Sequence, residues 1–551
     1  QLLLDKFPQW MKENGLDIAG KLNTKTEKID FLHKGVDVLL DELDKRLSSF
    51  DTLWLLRMLM QNHETLVYQR EHNRVLQPAQ ILCFGENKSK RKEFFDTERR
   101  LADAGISTRA MIEYIAATQY RGGGVKPGND DVESLLAIMN EVISIGGICD
   151  AIHLDVANHT IEKLGSGRYG IYDDVFSDNV GEFAATRTIE SVNGQIEDFE
   201  SKMARMAVRP DTKEKNKDAE LEEIDVAFLE DWGVSYSNIL QFLYVCYIIA
   251  MKQQKSVIEM EESQLIKAMQ EHCTELTEDL AKKCIIRLSL DKRENYLTPP
   301  VGLAGKDIFP WSYNRELSYL RRPVIRYQYD DGTVMCMFGF RSCIQAGIQL
   351  SDLLYSGRLR YVGRKIETLL GKFEAIKGAA FNDEVRSFLA KIPIMRVWEH
   401  DVTIKSGGYF AADKDYGDID VMAYDTSRDI LYLIECKNTN PAKNIKEMKT
   451  EMDEYLGRGD NPERDKKRAL VLKHLRRHRW VTEHINEVAK HIGVAVTPRV
   501  KSMMLTATVI PTSYLKREKI PMSILNYPEL KIKGVNLLDS CKEPDLSVLD
   551  I

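Results

Sequence analysis

The stretch GDIDVMAYDTSRDILYLIECK, residues 417–437, decides how the C-terminal third of this chain folds. Two β-rich apolar runs, 418–424 and 430–437, flank Thr426-Ser427-Arg428-Asp429, four residues of turn-forming type. A four-residue loop there pairs Asp425 with Ile430. It also sets Asp420 opposite Glu435 and Asp418 opposite Lys437. Directly opposed residues share a sheet face, so carboxylates and one ammonium would gather at one strand end. A slip of one residue would send the two sets to opposite faces, which makes the register a sharp expectation.

Working outward, Phe381 to Ala390 reads as a helix and Met395 to Ile404 as a strand. A second helix is expected near Asn444 to Leu456, then a long basic helix near Lys466 to His491. Lys501 to Ile510 reads as a closing strand. That order indicates a mixed α/β domain over residues 366–515, with 516–551 as a C-terminal tail.

Oxygen ligands around a small site suit a hard divalent cation. Mg²⁺ is expected, with Mn²⁺ able to substitute, and no Cys/His spacing suits zinc. A lysine two residues after a carboxylate ligand would lie beside a metal-bound water. It could hold that water or neutralise charge developing on a phosphate. The chemistry indicated is phosphodiester hydrolysis.

Asp420 followed by Glu435-Cys436-Lys437 resembles the PD-(D/E)xK nuclease signature, and the local form is similar to Mrr-type restriction enzymes and Holliday-junction resolvases. The resemblance covers roughly residues 375–510. It implies a restriction-endonuclease-like fold with a central mixed sheet, Asp420 and Glu435 as metal ligands, and Lys437 as the catalytic lysine. Asp418 is offered as a further ligand. Such families often carry an acidic residue on the preceding helix. Asn382 stands where a Glu directly after the Phe is common, so Glu384 is the candidate there. The proline of the motif's name is absent, Gly417-Asp418-Ile419 occupying that stretch. An isolated E-x-K arises readily by chance in a chain with 29% charged residues. The context of two β-like runs at hairpin distance separates this one from chance.

The basic helix supplies a partner. Lys466, Lys467, Arg468, Lys473, Arg476, Arg477 and Arg479 are expected on a phosphate-facing surface, with Leu472, Leu475 and Val481 toward the core. DNA is the expected nucleic acid, RNA the alternative. The net charge of −7 conceals this surface. Residues 371–551 hold 30 Lys+Arg and 27 Asp+Glu, against 47 and 57 in residues 1–370. Residues 461–520 alone carry 14 basic and 5 acidic side chains. A polyanion is met by a local positive surface, not by a positive total.

The N-terminal two-thirds reads as mostly α-helical. Ile29, Leu32, Val36, Leu39, Leu40 and Leu43 recur at helical spacing. The Arg121–Gly128 stretch is a break, and helix is expected again from Val132 to about Leu164. Gly165 to Gly170 matches G-x-G-x-x-G but follows a helical pattern, so a loop is expected rather than a dinucleotide site. Three regions are expected: helices over 1–209, a charged linker over 210–224, and helices with a β hairpin (324–340) over 225–365. Asp330-Asp331-Gly332 forms the tip of that hairpin.

Nine scattered cysteines without C-x-x-C spacing predict reduced, mostly buried thiols. Leu240 to Met251 is too short to span a bilayer, and no signal sequence opens the chain. A cytoplasmic protein without a membrane partner is expected. The first residue is Gln1 rather than Met, which leaves a larger parent protein open. With 551 residues, about 150 carry the chemistry and the rest are expected to control it, through a homo-oligomer or a partner protein. The expected function is a Mg²⁺-dependent endodeoxyribonuclease, a restriction or anti-phage effector by resemblance of architecture. The alternatives are an inactive nuclease-fold scaffold and a repair or recombination nuclease.

Overall fold

The computed structural model describes residues 2–84, 88–118, 124–207, 217–312, 314–360, 363–459 and 461–550. Two compact units divide the chain: Gln1–Tyr172 with Ser191–Phe373, and Asp173–Glu190 with Glu374–Ile551. The helices Asp174–Ala207 and Arg364–Ala390 each contribute to both.

In the first unit the helix Lys25–Leu47 starts where Thr24 accepts from the Glu27 N–H while the Glu27 carboxylate accepts from the Thr24 N–H. Leu32, Val36, Leu39 and Leu43 form its buried stripe, while Ile29 and Leu40 are half-buried beside it. The helix packs against Asn129–His153. Among the described residues, Asn129–His153 alone is by itself long and apolar enough to cross a membrane, and half of its most apolar window is buried inside the unit.

This helix ends at His153 rather than near Leu164. Asp155 takes a positive φ of 55°, a left-handed turn that stops helix propagation. Strands β1 (Thr160–Lys163) and β2 (Tyr169–Tyr172) follow as an antiparallel hairpin. Gly165 to Gly170 therefore spans the hairpin tip and the start of β2, with Gly167 at φ 84°.

The hairpin expected at 324–340 forms within a four-stranded sheet. Its strands are β3 (Val257–Glu261), β4 (Ser289–Leu290), β5 (Val324–Gln328) and β6 (Val334–Gly339), ordered β3-β6-β5-β4. Ile325, Tyr327 and Met337 join the core made by the first helices. Val324, Cys336 and Phe338 face a second core with Ile239, Phe242, Leu243 and Cys246. One sheet with both faces apolar thus joins the regions expected separately at 1–209 and 225–365. The expected linker 210–224 is helical from Lys217, where Lys217–Trp232 begins. Residues 210–216 and Arg121-Gly122-Gly123 lie outside the described residues. The nine cysteines form no disulfide, and seven are buried.

In the second unit, β7 (Met395–Val397), β8 (Val402–Ile404), β9 (Gly417–Ile419), β10 (Val421–Asp425), β11 (Ile430–Lys437), β12 (Arg499–Thr506) and β13 (Ser523–Asn526) form two sheets. The larger has the order β13-β12-β11-β10-β7. Strand β10 is antiparallel to β7 and β11, whereas β12 is parallel to β11 and β13, a mixed sheet. Strands β8 and β9 pair separately, so the runs expected at 395–404 and 418–424 are each two strands. The 516–551 segment is no tail. Strand β13 extends the sheet, and Tyr527, Leu530, Leu537 and Leu538 fill its core. Residues 173–190, expected with the N-terminal helices, belong here too: Phe183 packs with Ala442, Met448 and Val509.

Two buried histidines make the fold acid-sensitive. His63 sits 3.2 Å from Ser342 Oγ and edge-on to Tyr319, and burial lowers its pKa to about 3. His478, 2.8 Å from Ser502 Oγ, is lowered by burial to about 4. The unfolded imidazoles take up protons first as pH falls through about 6.5, so stability is lost from there down to the folded values. At pH 4.5 each costs about 2–3 kcal/mol relative to pH 7. Urea midpoints at the two pH values test this: His63→Phe should flatten the acid slope, and an unchanged slope would remove His63 from the account.

Candidate functional site

The β10–β11 hairpin adopts the register expected from its turn. Asp425 pairs with Ile430 and Val421 with Ile434, which puts Asp420 and Glu435 at the next rung. Asp425 fixes the turn by accepting from the Ser427 and Arg428 N–H groups and from the Arg428 guanidinium. Glu435 and Lys437 share one face of β11, and Cys436, between them, faces an apolar core with Met503 and Leu505. That burial pushes the Cys436 thiol well up.

Lys437 Nζ is 2.8 Å from Glu435 Oε1 and 4.0 Å from Asp420 Oδ2. Asp420 Oδ2 also accepts from the Cys436 N–H at 2.8 Å, and Oδ1 from Asn382 Nδ2 at 3.3 Å. Asp420, Glu435 and Lys437 are thus brought together at the ends of adjacent strands. The other oxygen of Glu435 pairs with Arg477, and His474 Nδ1 lies 3.6 Å from it. Arg477 also donates to the Tyr416 carbonyl at 3.1 Å. A side chain at Gly417 would press on this guanidinium, and φ there is 86°, so glycine suits both demands.

The two carboxylates are electrostatically unequal. Burial raises Asp420 to about 6, with the Glu435 charge adding and Lys437 opposing. Burial pushes Glu435 the same way, but His474, Lys437 and Arg477 together hold it well below the usual carboxylate range. Burial disfavours the Lys437 charge, yet Glu435 and Asp420 raise its pKa and keep it an ammonium.

Two other candidates stand elsewhere. Asp418 is exposed and pairs across β9 with Thr403, because the chain bends at Asp420 and β9 turns to β8 rather than continuing along β11. It therefore does not face Lys437. Glu384 is exposed and accepts from the Tyr527 hydroxyl. The helix position that reaches the site is Asn382, one turn before Arg386, which donates to the Asp420 carbonyl at 2.5 Å.

The basic helix is also different. It is three helices, Pro462–Arg468, Leu470–Glu483 and Ile485–Ile492, broken at Ala469 in extended backbone and at His484. Lys467 and Arg468 are exposed, and Lys473 and Arg476 are half-buried. Arg477 is turned inward on Glu435, and Arg479 pairs with Asp550 and the Leu546 carbonyl, so neither lies on a free cationic face. The Lys466 side chain lies outside the described residues. The signal for this inward turn is spacing. Val471, His474, Leu475, His478 and Val481 recur at helical period, and Arg477 falls on their side.

Among the described residues no three His, Cys, Asp or Glu side chains converge as a metal cage. Mg²⁺ needs less than a cage: one or two carboxylates, the remaining positions going to water and substrate phosphate. Asp420 and Glu435 supply two carboxylates, and both oxygens of Glu435 are engaged by Lys437 and Arg477.

A family model described as "Anti-phage protein Upx-like" matches residues 11–523. No curated protein and no solved structure matches the chain.

Proposed function

The chain belongs to the Upx-like family of anti-phage proteins, and from that premise we propose that its second unit is a Mg²⁺-dependent endonuclease acting on DNA. The observation that carries this reading is the convergence of Asp420, Glu435 and Lys437, with the ammonium 2.8 Å from one carboxylate and 4.0 Å from the other. Asp420 and Glu435 would hold the ion, with Mn²⁺ able to replace it. The ion supplies Lewis-acid polarisation of the phosphate and a more acidic water. Lys437, kept charged by its neighbours, orients that water or offsets charge growing on the phosphate oxygens. Asn382 and the Cys436 N–H aim the Asp420 carboxylate. Lys467 and Arg468, both exposed, offer contacts to the nucleic-acid backbone. The helical first unit would govern when cleavage occurs.

A second reading keeps the fold but not the reaction: a nucleic-acid-binding scaffold. It is favoured by Asn382, an amide where a further carboxylate would strengthen metal binding, and by Glu435 having both oxygens engaged with Lys437 and Arg477. Incubating the chain with plasmid DNA, linear DNA and RNA in Mg²⁺, Mn²⁺ or EDTA separates the two. Metal-dependent cutting by wild type, lost in Asp420→Ala by about a thousandfold, is the expected result. Equal nucleic-acid binding by both proteins, with no cutting under any condition, would favour the scaffold. Cutting of RNA alone would correct the substrate.

A further inference from the structure

In the second unit the basic stretch breaks at His484, where the backbone leaves helical geometry at φ −107° and ψ 23°. The imidazole folds back on the preceding turn. Its Nδ1 lies 2.9 Å from the Trp480 carbonyl, and the ring stacks on Trp480 with centroids 4.5 Å apart and planes 15° from parallel. A carbonyl only accepts, so Nδ1 carries the proton and Nε2 of the neutral ring is left as an acceptor. Tyr416, just before β9, stands 6.1 Å from Trp480 at 48°. These three rings line an open pocket of about 480 Å³, with Ala411 and Ala412 from the β8–β9 loop and with Asp413 and Glu487. That volume lies within the range of about 300–1,000 Å³ typical of small-ligand sites.

Trp480 is 4% exposed and backs the imidazole, whereas His484 and Tyr416 are half-buried and keep ring surface open to a flat ligand. The exposed Lys414 ammonium lies 4.9 Å over the Tyr416 ring. His484 has a face to spare, since no ring but Trp480 stacks on it among the described residues. Asp413 and Glu487 are exposed, and neither forms an ion pair among the described residues. Their carboxylates repel a phosphate and accept from an amino group, as an Asp or Glu does from the exocyclic amine of a base.

The pocket adjoins the candidate reaction centre. Arg477, paired with Glu435, donates to the Tyr416 carbonyl at 3.1 Å. Tyr416 is separated from Asp420 by at most about 14 Å of chain, the span of a few nucleotides. Arg476, the next residue on the helix, is half-buried and feels Tyr416. Its Nε is enclosed without a partner, its Nη atoms are not enclosed, and no acid pairs with it among the described residues. A guanidinium so placed suits a phosphate. We propose that the pocket takes one unpaired, amino-bearing nucleobase of a nucleic-acid substrate, stacked on His484, with a neighbouring phosphate on Arg476. This rests on the hydrolytic reading for its partner and narrows the substrate to a strand with an unpaired nucleotide near the bond that is cut. Drawing a base out of a duplex costs least where it is already unpaired.

Fluorescence anisotropy of the full chain in EDTA at fixed salt tests this, with a labelled paired DNA duplex and the same duplex carrying one bulged cytosine or one bulged thymine. Wild type should bind the cytosine bulge about 5- to 150-fold more tightly than the paired duplex, the range for stacking one base. Thymine, which has no exocyclic amine, should gain less. His484→Ala should erase the preference and keep the affinity for paired duplex. If it fails to fold, Ala411→Leu, which narrows the pocket from an exposed position, should erase the preference as well. Arg476→Gln should weaken paired and bulged duplexes alike, as loss of a phosphate contact does. Equal binding of paired and bulged DNA by wild type, with metal-dependent cutting intact, would overturn the pocket and leave the hydrolytic reading standing. No binding of any nucleic acid would overturn both. A preference retained by His484→Ala, or thymine bound as tightly as cytosine, would also overturn it. Saturable binding of tetramethylammonium, lost in His484→Ala, would make the pocket a cation cage instead.

Discussion

Lys437→Ala is expected to reduce metal-dependent cleavage by about 10²–10⁴-fold, the range for removing a positioned proton-transfer or charge-stabilising group. The lysine holds its charge against a burial that disfavours it, because Glu435 and Asp420 stand beside it. Removing it leaves Glu435 still paired with Arg477, so the local structure has a reason to persist. Nucleic-acid binding in EDTA should therefore change little, since phosphate contact is assigned to Lys467 and Arg468. The discriminating measurement is a single-turnover cleavage rate beside a binding isotherm. Loss of rate with retained binding supports the assigned role. A variant that cleaves like wild type would remove Lys437 from the chemistry, and one that loses binding and rate together would make it a contact residue.

The largest expected effect on stability lies in the first unit. Glu113, on the helix Lys88–Thr118, receives Arg315 at 2.6 to 2.9 Å and the Tyr319 N–H at 2.7 Å. The pair is 6% and 1% exposed. Glu113→Ala would take the paired carboxylate away from a buried guanidinium that also donates to the Pro310 and Ser312 carbonyls, at 3.3 and 3.2 Å. Breaking a buried pair from one side costs about 3–5 kcal/mol. Replacing both partners, as Glu113→Leu with Arg315→Met, should recover most of that loss. Denaturant unfolding of the two proteins measures the difference. Near-wild-type stability in Glu113→Ala would mean the guanidinium finds another counter-charge.

How far the sequence could be read differs from residue to residue. The hairpin register followed from local chemistry alone, since Thr426 to Asp429 form the turn and alternation does the rest. The 324–340 hairpin followed in the same way from Asp331-Gly332, with Gly332 at φ 90°. Asp418 could not be placed so, because its position depends on where the chain leaves one sheet for another at Asp420. Arg477 looked like a nucleic-acid contact by composition, and its inward turn depends on a helix packing against the sheet. Glu384 and Asn382 are neighbours in sequence on one helix. Which of them meets Asp420 is a rotation that only packing specifies.

What the sequence by itself determined is the local and periodic part: the apolar stripes of the helices, the β10–β11 pairing, and the proximity of Asp420, Glu435 and Lys437. These rest on interactions over few residues, where propensity and alternation suffice. Tertiary structure alone decided three things. One sheet joins the two expected helical regions through its two apolar faces. The 516–551 segment completes the second sheet. Arg287, Arg321 and Arg322 meet on Glu316. Each is a contact between segments distant in sequence or between side chains of irregular backbone, and no local period encodes which buried charges will face one another.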